Sequence, residues 1–363
     1  MKRIYSFDVF KLFFAYLIAV FHFGTHVVPA PSFGADIYPD AGLLVQLFFI
    51  ISGFFLGKKF YDKYQADPNN DYDQICYTKD HIKSLYPHYV FSLIALTIYT
   101  FIAGVITFLQ EPSAYQIVTI VKNVYATIPE YFFLQNTGFF GGGTNYPLWQ
   151  LCTLLISGYF IYGLLYKNEK LAREFILPAA ILMIQACLAA EYDSWGTLVF
   201  FHVPILRAFS PVCIGVLVYY FTTTSYYQYI KSKKLLFNLA SIFGFLSIYA
   251  PQGYHNIYLI TFEFLLLAMY DPDSWVNKLL NRKMFRHAGQ LSYAIFLNHA
   301  MVADLLNVQI FPLLFGMSGT LSVSVLKYVI YVVLLTVYSI FTIRIVNKLV
   351  QTFKQKRCAA VQK

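Results

Sequence analysis

The chain has 363 residues, of which 58% are hydrophobic and 12% charged, with a mean hydropathy of +0.56. A soluble domain is nearer half apolar and a quarter charged, so this balance excludes an ordinary soluble enzyme and implies an integral membrane protein. The net charge of +9 does not indicate nucleic acid, because the basic residues fall between apolar segments instead of gathering on one soluble face.

The first apolar segment, at roughly 9–30, overlaps the stretch Phe7 to Phe23, FDVFKLFFAYLIAVFHF, which carries Asp8, Lys11 and His22. An ionisable group at bilayer depth costs at least a few kcal/mol. At 100° per residue, Lys11 and His22 differ by only about 20° around a helix axis and lie roughly 16 Å apart along it. One face therefore presents a cation near one end and an imidazole near the other, and it must look into the bundle or a wet cavity. A local Asp8–Lys11 ion pair is the structural alternative for that end; a deep histidine is a proton-transfer candidate.

The second span, 40–57, contains FFIISGFF with Ser52-Gly53, either a small-residue notch for helix packing or a place where a ligand chain approaches the backbone. A polar, basic connection over 58–85 follows. It ends in KDHIKSLYPHY, where Lys79 and Lys83 stand one turn apart before the span at 86–109. They read as snorkelling anchors or as a phosphate clamp. The 110–145 segment is long and closes in NTGFFGGGTNYPLW, and long loops in compact chains are often functional.

Further spans are predicted at 146–166, 174–190, 204–222, 235–251, 254–270, 288–309 and 322–346, the 235–251 and 254–270 pair being the shortest. Trp149 is placed to stack on a sugar ring or to join an interfacial aromatic belt. Arg207 is placed to grip an anionic ligand or to anchor the helix at the interface. Glu263 lies mid-span, and His299 and Asp304 share the SYAIFLNHAMVADLL segment. Glu263 reads either as the group that orients His22 or as a structural partner of His299.

Ten spans put both termini on one side. Of the 27 Lys and Arg residues, only Lys122 and Arg207 then fall in the opposite loops, with Lys11 and Lys327 inside spans. The positive-inside rule makes both termini cytosolic. The expected fold is an all-α, polytopic transmembrane bundle over 1–348, followed by a basic cytosolic tail at 349–363. Five scattered cysteines without metal-ligand spacing give no reason to expect a metal. No internal repeat of the kind found in many transporters is visible.

The ordered set of segments resembles the acyltransferase-3 family of membrane O-acyltransferases. The resemblance begins with a basic residue and a histidine eleven positions apart (Lys11, His22), and continues through FFIISG and the basic run ending in Tyr86-Pro87. It extends through YPLWQLCTLLISGYF, RAFSPVCIGVLVYY and LSYAIFLNHAMV. Lysines at 11, 79 and 83 stand where the family often has arginine, which keeps the charge but not the bidentate geometry.

The resemblance implies transfer of an acyl group, acetyl being the expected one, from cytosolic acyl-CoA to a hydroxyl of a surface glycan or lipid-linked sugar. No metal takes part in that scheme, and without an appended hydrolase domain the chemistry is expected within the bundle. Lys11, Lys79 and Lys83 would hold the nucleotide phosphates, and the pantetheine arm would pass Ser52 and Gly53. His22 would act as general base, with Glu263 and Asp8 as catalytic candidates beside it. Arg207, Trp149 and His299 would meet the acceptor. The expected setting is multi-pass in the plasma or inner membrane, with self-association or glycan-biosynthesis enzymes as protein partners. A small-solute transporter using Asp8, Lys11, His22 and Glu263 is the rival reading, and a membrane module serving a separate enzyme is a third.

Overall fold

The computed structural model describes the chain outside residues 1–2, 28–40, 68–70, 139, 141–142, 191–196, 199–200, 250–254, 316–320 and 362–363. It is a polytopic helical bundle. We label its main helices α1 (Tyr5–Val27), α2 (Ala41–Ala66), α3 (Gln74–Gln110), α4 (Ala114–Ala126), α5 (Trp149–Lys167), α6 (Leu177–Ala190), α7 (Val203–Phe221), α8 (Ser225–Ser232), α9 (Lys234–Leu246), α10 (His255–Tyr270), α11 (Ala288–Asp304) and α12 (Leu321–Val361). A two-residue antiparallel pair, Thr197–Leu198 with Phe201–His202, precedes α7.

Eight helices among the described residues are long and apolar enough to cross a membrane. Two shorter apolar helices, Lys234–Tyr249 and Tyr258–Tyr270, occupy the 235–251 and 254–270 positions. These two short helices pack against each other. The ends of the helices follow from local chemistry. Asp73 caps α3 by accepting the Cys76 N–H at 2.8 Å, and Ser113 and Thr224 cap α4 and α8 in the same way. Each such cap satisfies an otherwise orphaned donor and stabilises its helix by about 1 kcal/mol.

Lipid tails are as apolar as leucine, so burial alone does not hold spans together; close van der Waals packing does. The tightest case is the α2–α7 contact. A Cβ on Gly53 would overlap the Val212 carbonyl, and one on Gly215 would overlap the Ile50 carbonyl. The two glycines thus bring two backbones together reciprocally. Around them Phe7, Phe14, Phe54 and Phe262 are fully buried, with Phe7 and Phe54 stacked at 5.5 Å and Phe14 and Phe262 tilted at 6.1 Å. α1 lies in this core against α11, and that pairing positions the site.

Candidate functional site

Beside the N-terminal segment, a cavity of about 650 Å³ opens between α1, α2, α3, α5 and α11. Its polar walls include Arg3, Asp8 and Lys11 from the N-terminal segment and α1, Ser52 and Lys59 from α2, His81 and His88 from α3, and Ser292 and Tyr293 from α11. Lys11 enters no ion pair among the described residues. Its ammonium faces the Phe55 ring at 5.1 Å. Asp8, the carboxylate nearest in sequence, is taken by Arg3 at 2.6 Å, so the local Asp8–Lys11 pair does not form. Lys59 is only loosely engaged, 3.6 Å from Asp80, and its ammonium also lies over the Tyr72 and Tyr77 rings. The chamber is thus cationic at its mouth and becomes apolar inward, where Phe48, Phe49, Leu151, Leu154 and Phe296 form its walls.

Beyond that aromatic layer lies a pair of imidazoles. His22 and His299 stack with ring centroids 5.5 Å apart and planes 19° from parallel. Tyr146 places its ring edge-on to both, at 5.0 and 6.3 Å. Phe296 touches His299 at 6.1 Å and also lines the cavity, so one side chain separates the two compartments. His299 is fully buried, and its Nδ1 lies 2.8 Å from the Phe296 carbonyl oxygen. A carbonyl only accepts, so Nδ1 carries the proton and Nε2 is left with a lone pair. No described group hydrogen-bonds that Nε2. The arrangement is a cationic chamber, an aromatic partition and a pair of bases in series along α1 and α11.

Several predicted residues converge on this axis. Lys11, Asp8 and Ser52 line the chamber, and His22 and His299 meet beyond it. Trp149 is buried, its ring 6.1 Å from Phe49 on the partition, and so does not belong to an aromatic belt. Others lie elsewhere. Gly53 turns away from the chamber into the α7 backbone, the packing alternative for the SG pair. Lys79 and Lys83 are exposed on α3 and outside the chamber lining. Arg207 is buried on α7, which sets aside the interfacial-anchor alternative, though it is not a chamber residue. Glu263 is not brought to His22. It lines a separate groove of about 730 Å³ with Gln185 of α6 and Leu217 of α7. Its neighbour Phe262 packs on Phe14, which lies about 12 Å from His22 along α1.

Arg3, Lys59, His81 and Tyr146 join the site without having been singled out in the sequence. Lys59 and His81 sit in the basic 58–85 run, where one helical face could not be told from another. Tyr146 opens the YPLW stretch, whose signal was the tryptophan.

The acyltransferase-3 family model, described as an acyltransferase domain, matches residues 4–345. The chain belongs to the acyltransferase-3 family. No curated protein matches it, and no solved structure does. The match runs through every helix that builds the chamber and the histidine pair, so this multi-pass membrane protein is an acyltransferase whose chemistry is to be sought along that axis.

Proposed function

We propose that this acyltransferase moves an acyl group, acetyl in the simplest case, from acyl-CoA at the termini-bearing, cytosolic end to a hydroxyl of a glycan or lipid-linked sugar at the other. The observation that carries the reading is Lys11: a buried-facing ammonium in a cavity of about 650 Å³ with no carboxylate partner among the described residues. A charge in such a place is strongly disfavoured unless something anionic completes it. The phosphates of a nucleotide do so, with Lys11, Lys59 and Arg3 as donors. The apolar interior beyond Ser52 suits the pantetheine arm, and Phe48, Phe49 and Phe296 would yield to admit the thioester.

At the histidine pair, the acceptor hydroxyl gives its proton to His22 as its oxygen attacks the thioester carbonyl. The C–O bond forms and the C–S bond breaks. The thiolate leaves as CoA and recovers a proton from the imidazolium, so His22 returns to its starting form. His299, with its Nε2 lone pair, holds the acceptor hydroxyl or its neighbour. Trp149 and Arg207 are the further acceptor contacts, and the setting is the plasma or inner membrane.

The test is acyl-CoA-dependent labelling of surface polysaccharide by cells carrying His22→Ala. Transfer should fall to background while the folded protein remains in the membrane; transfer at the wild-type rate contradicts the assignment. Solute counterflow without release of CoA would favour a transporter instead.

A further inference from the structure

The end of the bundle opposite the chamber holds buried polar groups that the transfer scheme does not use. After α4 the chain makes a short helix, Ile128–Tyr131, then turns and returns through a 3₁₀ turn, Tyr146–Leu148, into α5. Glu130 lies at the centre of this segment and is completely buried. Its backbone carbonyl accepts the Tyr89 hydroxyl at 2.7 Å, and its Oε1 accepts the Asn145 backbone N–H at 3.0 Å. Asn145 donates its Nδ2 to the Leu297 carbonyl at 3.1 Å, and its own carbonyl accepts Gln135 Nε2 at 3.0 Å. Leu297 stands two residues before His299, and Tyr146 directly follows Asn145. A single hydrogen-bonded residue therefore ties the Glu130 segment to the helix turn that carries one histidine. The next residue in the chain lays its ring against both.

We propose that Glu130 is a positioning residue for acyl transfer, latching Asn145 so that Tyr146 is held against the His22–His299 pair. This rests on the acyl-transfer reading above. The latch works with the neutral acid. Both amides have their orientation fixed, because each nitrogen donates to a backbone carbonyl. That leaves Gln135 Oε1, Asn145 Oδ1 and Glu130 Oε2, all buried and without a described partner. A proton on Oε2 adds a donor among these acceptors, against the backbone groups of Asn145 and Thr144 that favour the carboxylate. The titratable groups that face Glu130 are Tyr89 from α3 and Cys152 from α5, and no cation among the described residues pairs with it. Burial accordingly pushes its carboxyl up to about 7. The packing is close: a Cβ on Gly143 would overlap the carboxylate.

The experiment compares Glu130→Gln and Glu130→Ala. Glutamine keeps an acceptor for the Asn145 N–H and supplies a permanent donor. It should retain kcat and remove the decline in kcat expected of the wild type as pH rises through about 7. Alanine should lower kcat by about ten- to a hundredfold through displacement of Tyr146. Its KM for acyl-CoA should be unchanged, since the donor chamber lies at the other end. Glu130→Ala at wild-type kcat overturns the proposal, as does Glu130→Gln with an unaltered pH profile. The protection of the Asn145 amide, its exchange rate divided by the intrinsic base-catalysed rate at each pH, provides a readout independent of catalysis: it should fall in the alanine variant and, in the wild type, above pH 7. If no acyl transfer is found even for the wild type, the functional reading fails, and unchanged Asn145 protection would then sink the latch separately.

Discussion

Substituting Gly215 by alanine tests whether the α2–α7 contact is the mechanical base of the donor chamber. The added Cβ would overlap the Ile50 carbonyl oxygen and lie 2.6 Å from the Phe54 nitrogen and 2.9 Å from the Gly53 carbonyl carbon. All three are backbone atoms, so no rotamer can yield, and an ordinary contact near 3.4 Å requires the helices to part by more than about 1 Å. A gap of that size forfeits roughly a quarter to a half of the dispersion energy of the atom pairs across it. Overpacking in a well-packed core ranges over about 1–3 kcal/mol, and this site should fall at the upper end, about 3 kcal/mol. Because Ser52 adjoins Gly53 and lines the chamber, KM for acyl-CoA should rise as well. Gly104→Ala is the control. There a Cβ meets only the Ile120 side chain, which can move, so the loss should stay below about 1 kcal/mol. The assay is thermal unfolding of both purified variants in the same detergent. If Gly215→Ala melts with the wild type, or no lower than Gly104→Ala, the packing argument is refuted.

Lys11→Ala should weaken acyl-CoA binding by about ten- to a hundredfold, the range for one hydrogen bond to a charged group, and Lys11→Arg should recover most of it; titration calorimetry with the unacylated nucleotide reads both. Glu263→Gln should leave kcat within about twofold of wild type, since its groove is separate from the histidine pair; a loss comparable to that of His22→Ala would restore a catalytic role for this carboxyl. Glu130, at about 7 instead of its ordinary 4.5, binds its proton more tightly in the folded state. Its contribution to stability is therefore complete below about pH 4.5 and lost as pH rises through 7, a loss of about 3 kcal/mol. Glu130→Gln should flatten that part of the stability profile, measured by thermal unfolding between pH 5 and 8.

Much of the bundle was legible because membrane physics leaves few choices: backbone groups must be satisfied within each pass, so apolar segments of the right length become helices. Even the two short apolar helices fell where hydropathy placed the shortest pair of segments. The Lys11–His22 stripe was legible for a similar reason, since both residues lie on one helix and its periodicity fixes their relation. What could not be read were relations between helices. His299 stacks on His22, and Glu263 lies in a groove with α6 and α7, whereas the sequence left Glu263 divided between orienting His22 and pairing with His299. Gly53 gave no sign of which neighbour it faced until α7 was seen against it. Glu130 was silent altogether, a lone acid in a loop, because its meaning depends on Asn145 and on the α11 carbonyl that Asn145 holds.

The central claim, that the Lys11 chamber and the His22–His299 pair are two ends of one transfer path, is tested most directly in proteoliposomes. Labelled acetyl-CoA is supplied only on the side of the chain termini and a hydroxylated glycan acceptor only on the other. Label should appear on the acceptor and CoA should be released on the donor side, with His22→Ala retaining donor binding but transferring nothing. Transfer by His22→Ala at the wild-type rate, or transfer only when donor and acceptor share one side, would contradict it.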